Sequence, residues 1–295
     1  MDKKPPKSEK ASQKDPPEGP LVTLSEQKQV EEHINIPVNV VYEAIRQEGE
    51  AELRRPVAGL AWSALAAGLS MGFSFIAEAF LMAGLPDRPW RPLISKLGYS
   101  VGFLIVVLGR QQLFTENTLT AILPFLLRTR LQVFWQVLRL WGVVLIANLF
   151  GTWLFALCVA RLKLFDPRVQ SALLEIGSSH TGLSFGTVYV HAVFAGWLIA
   201  LMVWLLPGAE SARVEIIIIV TYLVGLGGFE HIIAGSTTML YLVSVKALSW
   251  AAYFSHFFLP TLLGNITGGV SLVAALGHAQ VVGSKSPKKA KHSKI

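Results

Sequence analysis

The stretch "GGFEHIIAGSTT", residues 227–238, places a glutamate and a histidine inside a run of otherwise apolar residues. The uncharged runs on its two sides, 216–229 and 232–245, are each 14 residues long. A membrane-spanning helix needs about 20 apolar residues, so neither run crosses a bilayer alone, although the two together can. Broken backbone and ionisable groups occur at membrane depth where they are buried in protein or line a water-filled path. The stretch therefore predicts a helix broken around a path.

Composition indicates an all-α integral membrane protein. Of the 295 residues, 52% are hydrophobic and only 15% are charged, whereas about a quarter of a soluble domain is charged. The single cysteine, Cys158, excludes an intramolecular disulfide. The net charge of +7 comes from tails and short loops, without the aromatic interleaving of a nucleic-acid surface. The lipid bilayer is thus the expected partner, and nucleic acid is not.

Four segments are expected along the chain. Residues 1–34 are polar, Pro-rich and Lys-rich, and they predict a disordered cytoplasmic arm without the apolar core of a signal peptide. Residues 35–55 favour an amphipathic helix at the membrane surface. Residues 56–282 predict a channel domain of six spans, and 283–295 a basic cytoplasmic tail.

The lengths of the uncharged stretches give the order full, broken, full, full, broken, full, so the second and fifth spans are broken. The stretches are 56–77, 97–109 with 117–127, 140–160, 186–206, 216–229 with 232–245, and 259–279.

The broken spans belong to an internal repeat. The first break is "RQQLFTENT", 110–118, and the span after each break carries an Asn-x-x-Gly pair, at Asn148 and at Asn265. Thr115 precedes Asn148 by 33 residues, and His231 precedes Asn265 by 34. Three spans per half place the halves in opposite orientation, and in such inverted 3+3 repeats the breaks meet near the midplane.

The distribution of lysines and arginines along the chain favours a topology with both termini on the cytoplasmic side. With that orientation the inside receives 18 of them and the outside seven, while Arg110 lies within the membrane. Cytoplasmic loops carry the excess of these residues in membrane proteins.

Three motifs resemble the formate/nitrite transporter family. They are "LFTENTL" after the first half-helix, "GFEHIIA" at the second break and "GNITGG" in the last span, and the resemblance covers about residues 35–282. The basic N-terminus and "GRQQLFTENT" resemble most the YfdC-type inner-membrane branch of that family.

The resemblance implies a homopentamer in the bacterial inner membrane, with an aquaporin-like protomer and a separate pore in each subunit. It implies small monovalent anions, or their weak acids, as substrates, and no cofactor. It places Thr115 and His231 across the pore centre, with Leu113 and Phe114 beside the cytoplasmic constriction. Before Leu-Phe-Thr the family usually has Gly-Ala-Asp or Gly-Ala-Glu, and this chain has Arg110, Gln111 and Gln112. After Glu-His the family usually has Ala-Asn and then an apolar residue, and this chain has Ala234, Gly235 and Ser236. Gly196 occupies the place of an asparagine near the central histidine.

Physical roles follow for these residues. A histidine can line the pore and exchange a proton, since its reference pKa is about 6.5, and Glu230 is expected to accept backbone N–H groups at the break. Thr115 either caps the downstream half-helix, contacts the lumen, or does both. Arg110 either pairs with Glu116 or Glu230 or attracts anions at the pore mouth. The residues expected to support the breaks are Gln112, Glu116, Asn148, Gly196, Glu230, Gly235 and Asn265.

Other functions remain open at this point. The same fold could pass a small neutral solute, or act as a poorly conducting scaffold or sensor. An intramembrane enzyme is not expected, because "FEHIIAG" is not His-Glu-x-x-His and a metal site needs at least three converging ligands. His180, His256 and His278 lie in loops or near predicted span ends, and no metal is expected.

Overall fold

Long apolar helices dominate the computed structural model, which describes residues 36–162 and 164–283. In these residues, five helices are long and apolar enough to cross a membrane, covering 57–84, 91–108, 131–162, 185–208 and 250–280. The predicted cytoplasmic arm, 1–34, and nearly all of the predicted tail, 283–295, lie outside the described residues.

Within residues 36–162, the first half of the chain forms seven α-helices. They are α1 (Val38–Arg54), α2 (Val57–Gly84), α3 (Arg91–Ser95), α4 (Ser100–Leu108), α5 (Phe114–Thr120), α6 (Ile122–Leu127) and α7 (Leu131–Leu162). A short 3₁₀ turn, Lys96–Tyr99, joins α3 to α4.

Residues 164–283 of the second half form seven more. They are α8 (Pro167–Ser178), α9 (Phe185–Leu205), α10 (Arg213–Leu226), α11 (Ile232–Ser244), α12 (Trp250–Ala252), α13 (Leu259–Ile266) and α14 (Ala275–Gly283). Two π-helical segments, Tyr253–Phe258 and Thr267–Ala274, make the last three helices one continuous span.

The predicted fold is confirmed: six passages, of which the second and fifth are broken. The first break lies between α4 and α5, and the second between α10 and α11. The two halves interlock, because α5 of the first half packs against α9 and α11 of the second half packs against α7. Protein therefore covers each half-helix. Broken backbone is tolerated at membrane depth when it is buried in this way.

The amphipathic helix α1 packs its apolar face on the protein. Val41, Tyr42 and Ile45 are buried, and the Tyr42 ring lies edge-on to Trp204 at 6.3 Å between ring centroids. Gly49 approaches so closely that a Cβ atom there would lie 1.9 Å from the Thr120 carbonyl oxygen. The amphipathic helix predicted over 35–55 is therefore present as α1, and its position at the membrane surface stays a prediction.

Helix α8 was not expected from the sequence. The Asp166 side chain accepts hydrogen bonds from the backbone N–H groups of Arg168 and Val169, and Pro167 begins the helix. Both features are typical of a helix start. Helix α8 matters for the site because it ends at Ser178, two residues before His180.

Glycine at position 196 is required by helix packing. A Cβ atom at Gly196 would lie 2.3 Å from the carbonyl oxygen of Asn265, a backbone atom that cannot move aside. We expect Gly196→Ala to lower the thermal unfolding temperature in detergent, with a destabilisation on the order of 1–3 kcal/mol from overpacking. Gly142→Ala is the matched control in α7, since nothing lies within 4 Å of a Cβ atom there. Equal unfolding temperatures for the two variants would contradict this assignment.

Candidate pore site at the helix breaks

The upstream helix ends in the same way at both breaks. In the first, Gln111 N–H donates to the Val106 carbonyl at 2.9 Å and Arg110 N–H to the Val107 carbonyl at 3.2 Å. In the second, Phe229 N–H donates to the Val224 carbonyl at 3.0 Å, and Gly228 N–H to the Gly225 carbonyl at 3.2 Å. This pair of bonds is the Schellman motif, which needs a left-handed residue just past the helix end.

Arginine fills that left-handed position in the first break. Arg110 has φ of 50°, and its counterpart Gly228 has φ of 60°. Glycine adopts this conformation freely, whereas for a residue with a side chain the left-handed backbone costs about 1–2 kcal/mol of conformational free energy. The chain therefore keeps an arginine where the local backbone favours glycine, and strain of this kind concentrates at functional sites.

Asn148 holds the first break. Its Oδ1 accepts the N–H of Phe114 at 3.0 Å, and its Nδ2 donates to the carbonyls of Ala64 at 2.6 Å and Gln112 at 2.9 Å. The side chain is fully buried. One asparagine thus satisfies the first N–H of α5 and ties the break to α2.

Asn265 repeats this arrangement at the second break. Its Oδ1 accepts the N–H of Ile232 at 2.8 Å, and its Nδ2 donates to the carbonyls of Ala192 and Glu230 at 2.8 and 2.9 Å. The prediction that the Glu230 carboxylate accepts the backbone N–H at the break is therefore wrong. The reason is that a neutral amide supplies both the donor and the acceptor that the broken backbone needs.

The repeat is shifted from the register that the sequence suggested. The residues held by the two asparagines are Phe114 and Ile232, and the residues before them, Leu113 and His231, share an extended conformation. His231 therefore corresponds to Leu113, not to Thr115, which lies inside α5. No side chain caps α5, so the capping role that Thr115 could have had is absent.

Thr115 and His231 nevertheless meet. Thr115 Oγ1 lies 2.8 Å from His231 Nε2, and their exposed fractions are 0% and 1%. Phe103 packs edge-on against the imidazole with 5.0 Å between ring centroids. The two half-helices are thus joined by a buried hydrogen bond.

The backbone fixes which nitrogen of His231 carries the proton. The N–H of Ala234 donates to His231 Nδ1 at 3.1 Å, so Nδ1 accepts with its lone pair and carries no proton. The neutral imidazole then carries its proton on Nε2, which makes His231 the donor and Thr115 the acceptor. A second proton on Nδ1 would have to displace the Ala234 N–H, so the geometry favours the neutral ring over the proton exchange that the sequence suggested.

Leu113 and Phe114 are buried on the α5 side of this contact. The Phe114 ring packs edge-on against Trp141, whose indole N–H donates to the Asn117 carbonyl at 3.0 Å. Gln112 Oε1 accepts a hydrogen bond from Asn117 Nδ2 at 3.1 Å. Gln112 is therefore part of the scaffold of the first break.

A small cavity of about 20 Å³, called here the far cavity, lies on the side of His231 opposite to α1. Its lining includes Glu78, Lys96, His180, Glu230 and His231. Lys96 Nζ pairs with Glu78 at 2.5 Å, and His180 Nδ1 lies 2.9 Å from Glu230 Oε1. The carboxylate of the Phe-Glu-His motif therefore finds its partner in the loop after α8.

His180 is the residue that sequence reasoning missed. Burial lowers the pKa of His180, but the Glu230 carboxylate outweighs burial by its charge and its hydrogen bond, and the net direction is upward. The only signal in the sequence was indirect, since an intramembrane glutamate requires a partner.

Gly235 lies beside the His180–Glu230 pair, where a Cβ atom would be 2.5 Å from the Phe257 ring.

A larger cavity of about 580 Å³, called here the α1-side cavity, lies on the other side of the Thr115–His231 contact. Its lining includes Glu48, Arg110, Gln111, Glu116 and Arg213. The predicted pairing of Arg110 with Glu116 or Glu230 is wrong: among the described residues no ion pair involves Arg110. The arginine is exposed because the break directs it into this cavity rather than into the membrane interior.

No group of three or more His, Cys, Asp or Glu side chains within 36–162 and 164–283 could hold a metal ion. The site is built instead from two asparagine-held breaks, one histidine–threonine contact and a cavity on each side.

Comparison with known proteins identifies the architecture. The sequence pattern of the formate/nitrite transporter family matches residues 39–279. The chain belongs to the formate/nitrite transporter family. A relative in this family, the inner membrane protein YfdC of Escherichia coli (strain K12), is 42% identical over 84% of this chain and 80% of its own length. The resemblance seen in the motifs is thereby confirmed.

Solved structures of the formate/nitrite transporter family share the fold. A pentameric formate channel with formate bound matches with a TM-score of 0.66 at 21% identity, covering 77% of this chain and 98% of that chain. A second structure, an FNT family ion channel, matches with a TM-score of 0.70 at 20% identity, covering 85% and 98%.

Proposed function

We propose that this chain is a transporter that carries a small monovalent anion or its conjugate weak acid, of the formate or nitrite kind, through a pore within each protomer. The observation that supports this best is the Thr115–His231 hydrogen bond, 2.8 Å long and buried, between two cavities that approach it from opposite sides. A solute that moves from one cavity to the other has to replace that bond.

The pore centre suits an acid or its anion. His231 Nε2–H is a donor aimed across the path, and Thr115 offers a hydroxyl that can donate or accept. Helix α11 begins at the same point, so its positive end favours negative charge. A bare anion pays a large desolvation penalty in an apolar constriction, and the neutral acid crosses it more readily.

The remaining features of the assembly are part of the same proposal. We infer a homopentamer, because the related structure described as a formate channel is pentameric. We infer the bacterial inner membrane from the description of the Escherichia coli relative. The distribution of Lys and Arg, 18 against seven, favours both termini, and hence the α1-side cavity, in the cytoplasm.

Flux measurements on the purified protein in liposomes test this function. We expect uptake of labelled formate or nitrite far above that of protein-free liposomes, rising as the external pH is lowered because more weak acid forms. Urea and glycerol serve as neutral probes under the same conditions. If urea or glycerol is taken up and no monovalent anion is, the protein is a channel for neutral solutes instead. If none of these solutes is taken up, the scaffold function replaces this proposal.

A further inference from the structure

The α1-side cavity holds polar atoms that lack partners. Gln111 Oε1, Glu116 Oε1 and Arg213 Nε are each buried without a hydrogen bond among the described residues, and all three residues line this cavity. Buried polar atoms are satisfied in more than about 90% of cases, and exceptions mark functional sites or missing ligands. The cavity therefore offers one carboxyl and one guanidinium group for a solute.

The charges around the cavity are nearly balanced. Arg55 pairs with Glu52 at 3.3 Å, which leaves Arg110 and Arg213 facing the acids Glu48, Glu116 and Glu210. With Glu116 ionised these five groups carry a net charge of −1, and with Glu116 protonated they carry none. A monovalent anion is thus admitted more easily together with a proton.

The charge of each arginine reaches across this cavity. Burial raises the pKa of Glu48, and the neighbouring Glu52 carboxylate raises it further. The positive charges of Arg110 and Arg213 both lower the pKa of Glu48. Arg110 from the break and Arg213 from the start of α10 thus line the same cavity as Glu48.

Arg110 is kept there against the preference of the backbone. The equivalent residue of the other break is Gly228, in the same left-handed conformation. A residue kept only to end α4 would be glycine, since glycine ends α10 in the same motif. The side chain of Arg110 consequently has a role in the cavity rather than in the helix end.

We propose that the α1-side cavity is a loading site for a weak-acid anion and a proton, in which Arg110 and Arg213 hold the anion and Glu116 exchanges the proton. The inference rests on the proposed transport function. In the outward direction, the Glu116 carboxyl transfers its proton to the bound anion, an O–H bond forms on the solute, and Glu116 is left as a carboxylate. A hydronium ion from the solvent on that side then returns a proton to Glu116 and leaves a water molecule. Inward transport reverses these steps.

The position of Glu116 suits this role. It follows Thr115 directly in α5, so the acid forms at the entrance to the buried contact with His231. His231 is held neutral by the Ala234 N–H and need not change protonation. The neutral acid then passes the buried constriction without a bare charge.

Glu116→Gln tests the proton step, because glutamine keeps the shape of the protonated carboxyl but cannot release a proton. We expect formate uptake into liposomes at pH 7 to fall at least tenfold and to lose most of its dependence on pH. Glu116→Asp, which still titrates, should keep the pH dependence. Glu215→Gln, an exposed acid on α10 outside the cavity, is the matched control. A normal pH profile in Glu116→Gln overturns the proton role.

Arg110→Gly tests anion holding, since glycine relieves the backbone and removes only the side chain. We expect the apparent KM for formate to rise about tenfold with little change in maximal rate, and no decrease in the unfolding temperature. Arg130→Gln, an exposed arginine outside the cavity, should behave as wild type. If Arg110→Gly does not assemble, Arg110→Asn replaces it, because asparagine tolerates the left-handed conformation. An unchanged KM in the assembled variant overturns the proposal.

Flux through the wild-type protein separates the transport function from the loading site. Absence of anion flux in the wild-type protein contradicts the proposed function itself. Normal wild-type flux with unaltered kinetics in both Glu116→Gln and Arg110→Gly leaves the function in place and contradicts only the loading site.

Discussion

Replacing Asn265 by leucine is expected to destabilise the protein strongly. The substitution removes three hydrogen bonds and leaves the Ile232 N–H and two carbonyls without this partner at a buried break. Each buried group left unsatisfied costs about 1–3 kcal/mol, so the total is on the order of 4 kcal/mol. Thermal unfolding of the detergent-solubilised protein, followed with size-exclusion chromatography, measures the loss.

Two further variants make this result specific. Asn148→Leu removes the corresponding bonds at the first break and should be destabilising to a similar degree. Asn39→Leu, on the exposed face of α1, should have little effect. An unfolding temperature for Asn265→Leu equal to that of Asn39→Leu would show that the break is held by something else.

The positions of the breaks could be predicted because the signal is local. Two apolar runs too short to span a membrane, separated by ionisable residues, have few solutions in a bilayer. The recurrence of Asn-x-x-Gly after each break added the repeat, and Asn148 and Asn265 prove to be its structural centre. The register differs by two residues from the predicted one, because residue type matches Thr115 with His231, whereas the asparagines bind Phe114 and Ile232.

The partners of the site residues could not be predicted in the same way. Glu230 pairs with His180, 50 residues earlier in the chain and at the end of an unexpected helix. Apolar periodicity records which face of a segment is covered, but not which side chain covers it. Gly196 shows the same limit: its surroundings, and not the loss of a pore asparagine, explain why this position is glycine.

Transport is expected to depend most on the hydrogen bond that His231 Nε2 donates at the pore centre, and His231→Asn removes that donor. Asparagine is a preferred N-cap residue, so its Oδ1 can take over the bond that His231 Nδ1 accepts from the Ala234 N–H. The shorter side chain cannot present the donor that now reaches Thr115. The half-helix should therefore persist while the polar contact at the pore centre is lost.

We expect the rate of formate uptake in His231→Asn liposomes to fall on the order of 100-fold, as when a single preorganised donor to an anionic centre is removed. The unfolding temperature should change little, and His256→Asn, an exposed histidine outside this contact, should transport normally. Because Glu116 exchanges the proton in our scheme, the residual flux should keep its pH dependence. Undiminished uptake in His231→Asn would mean that the solute crosses without meeting this histidine, and the path between the two cavities would then have to run elsewhere.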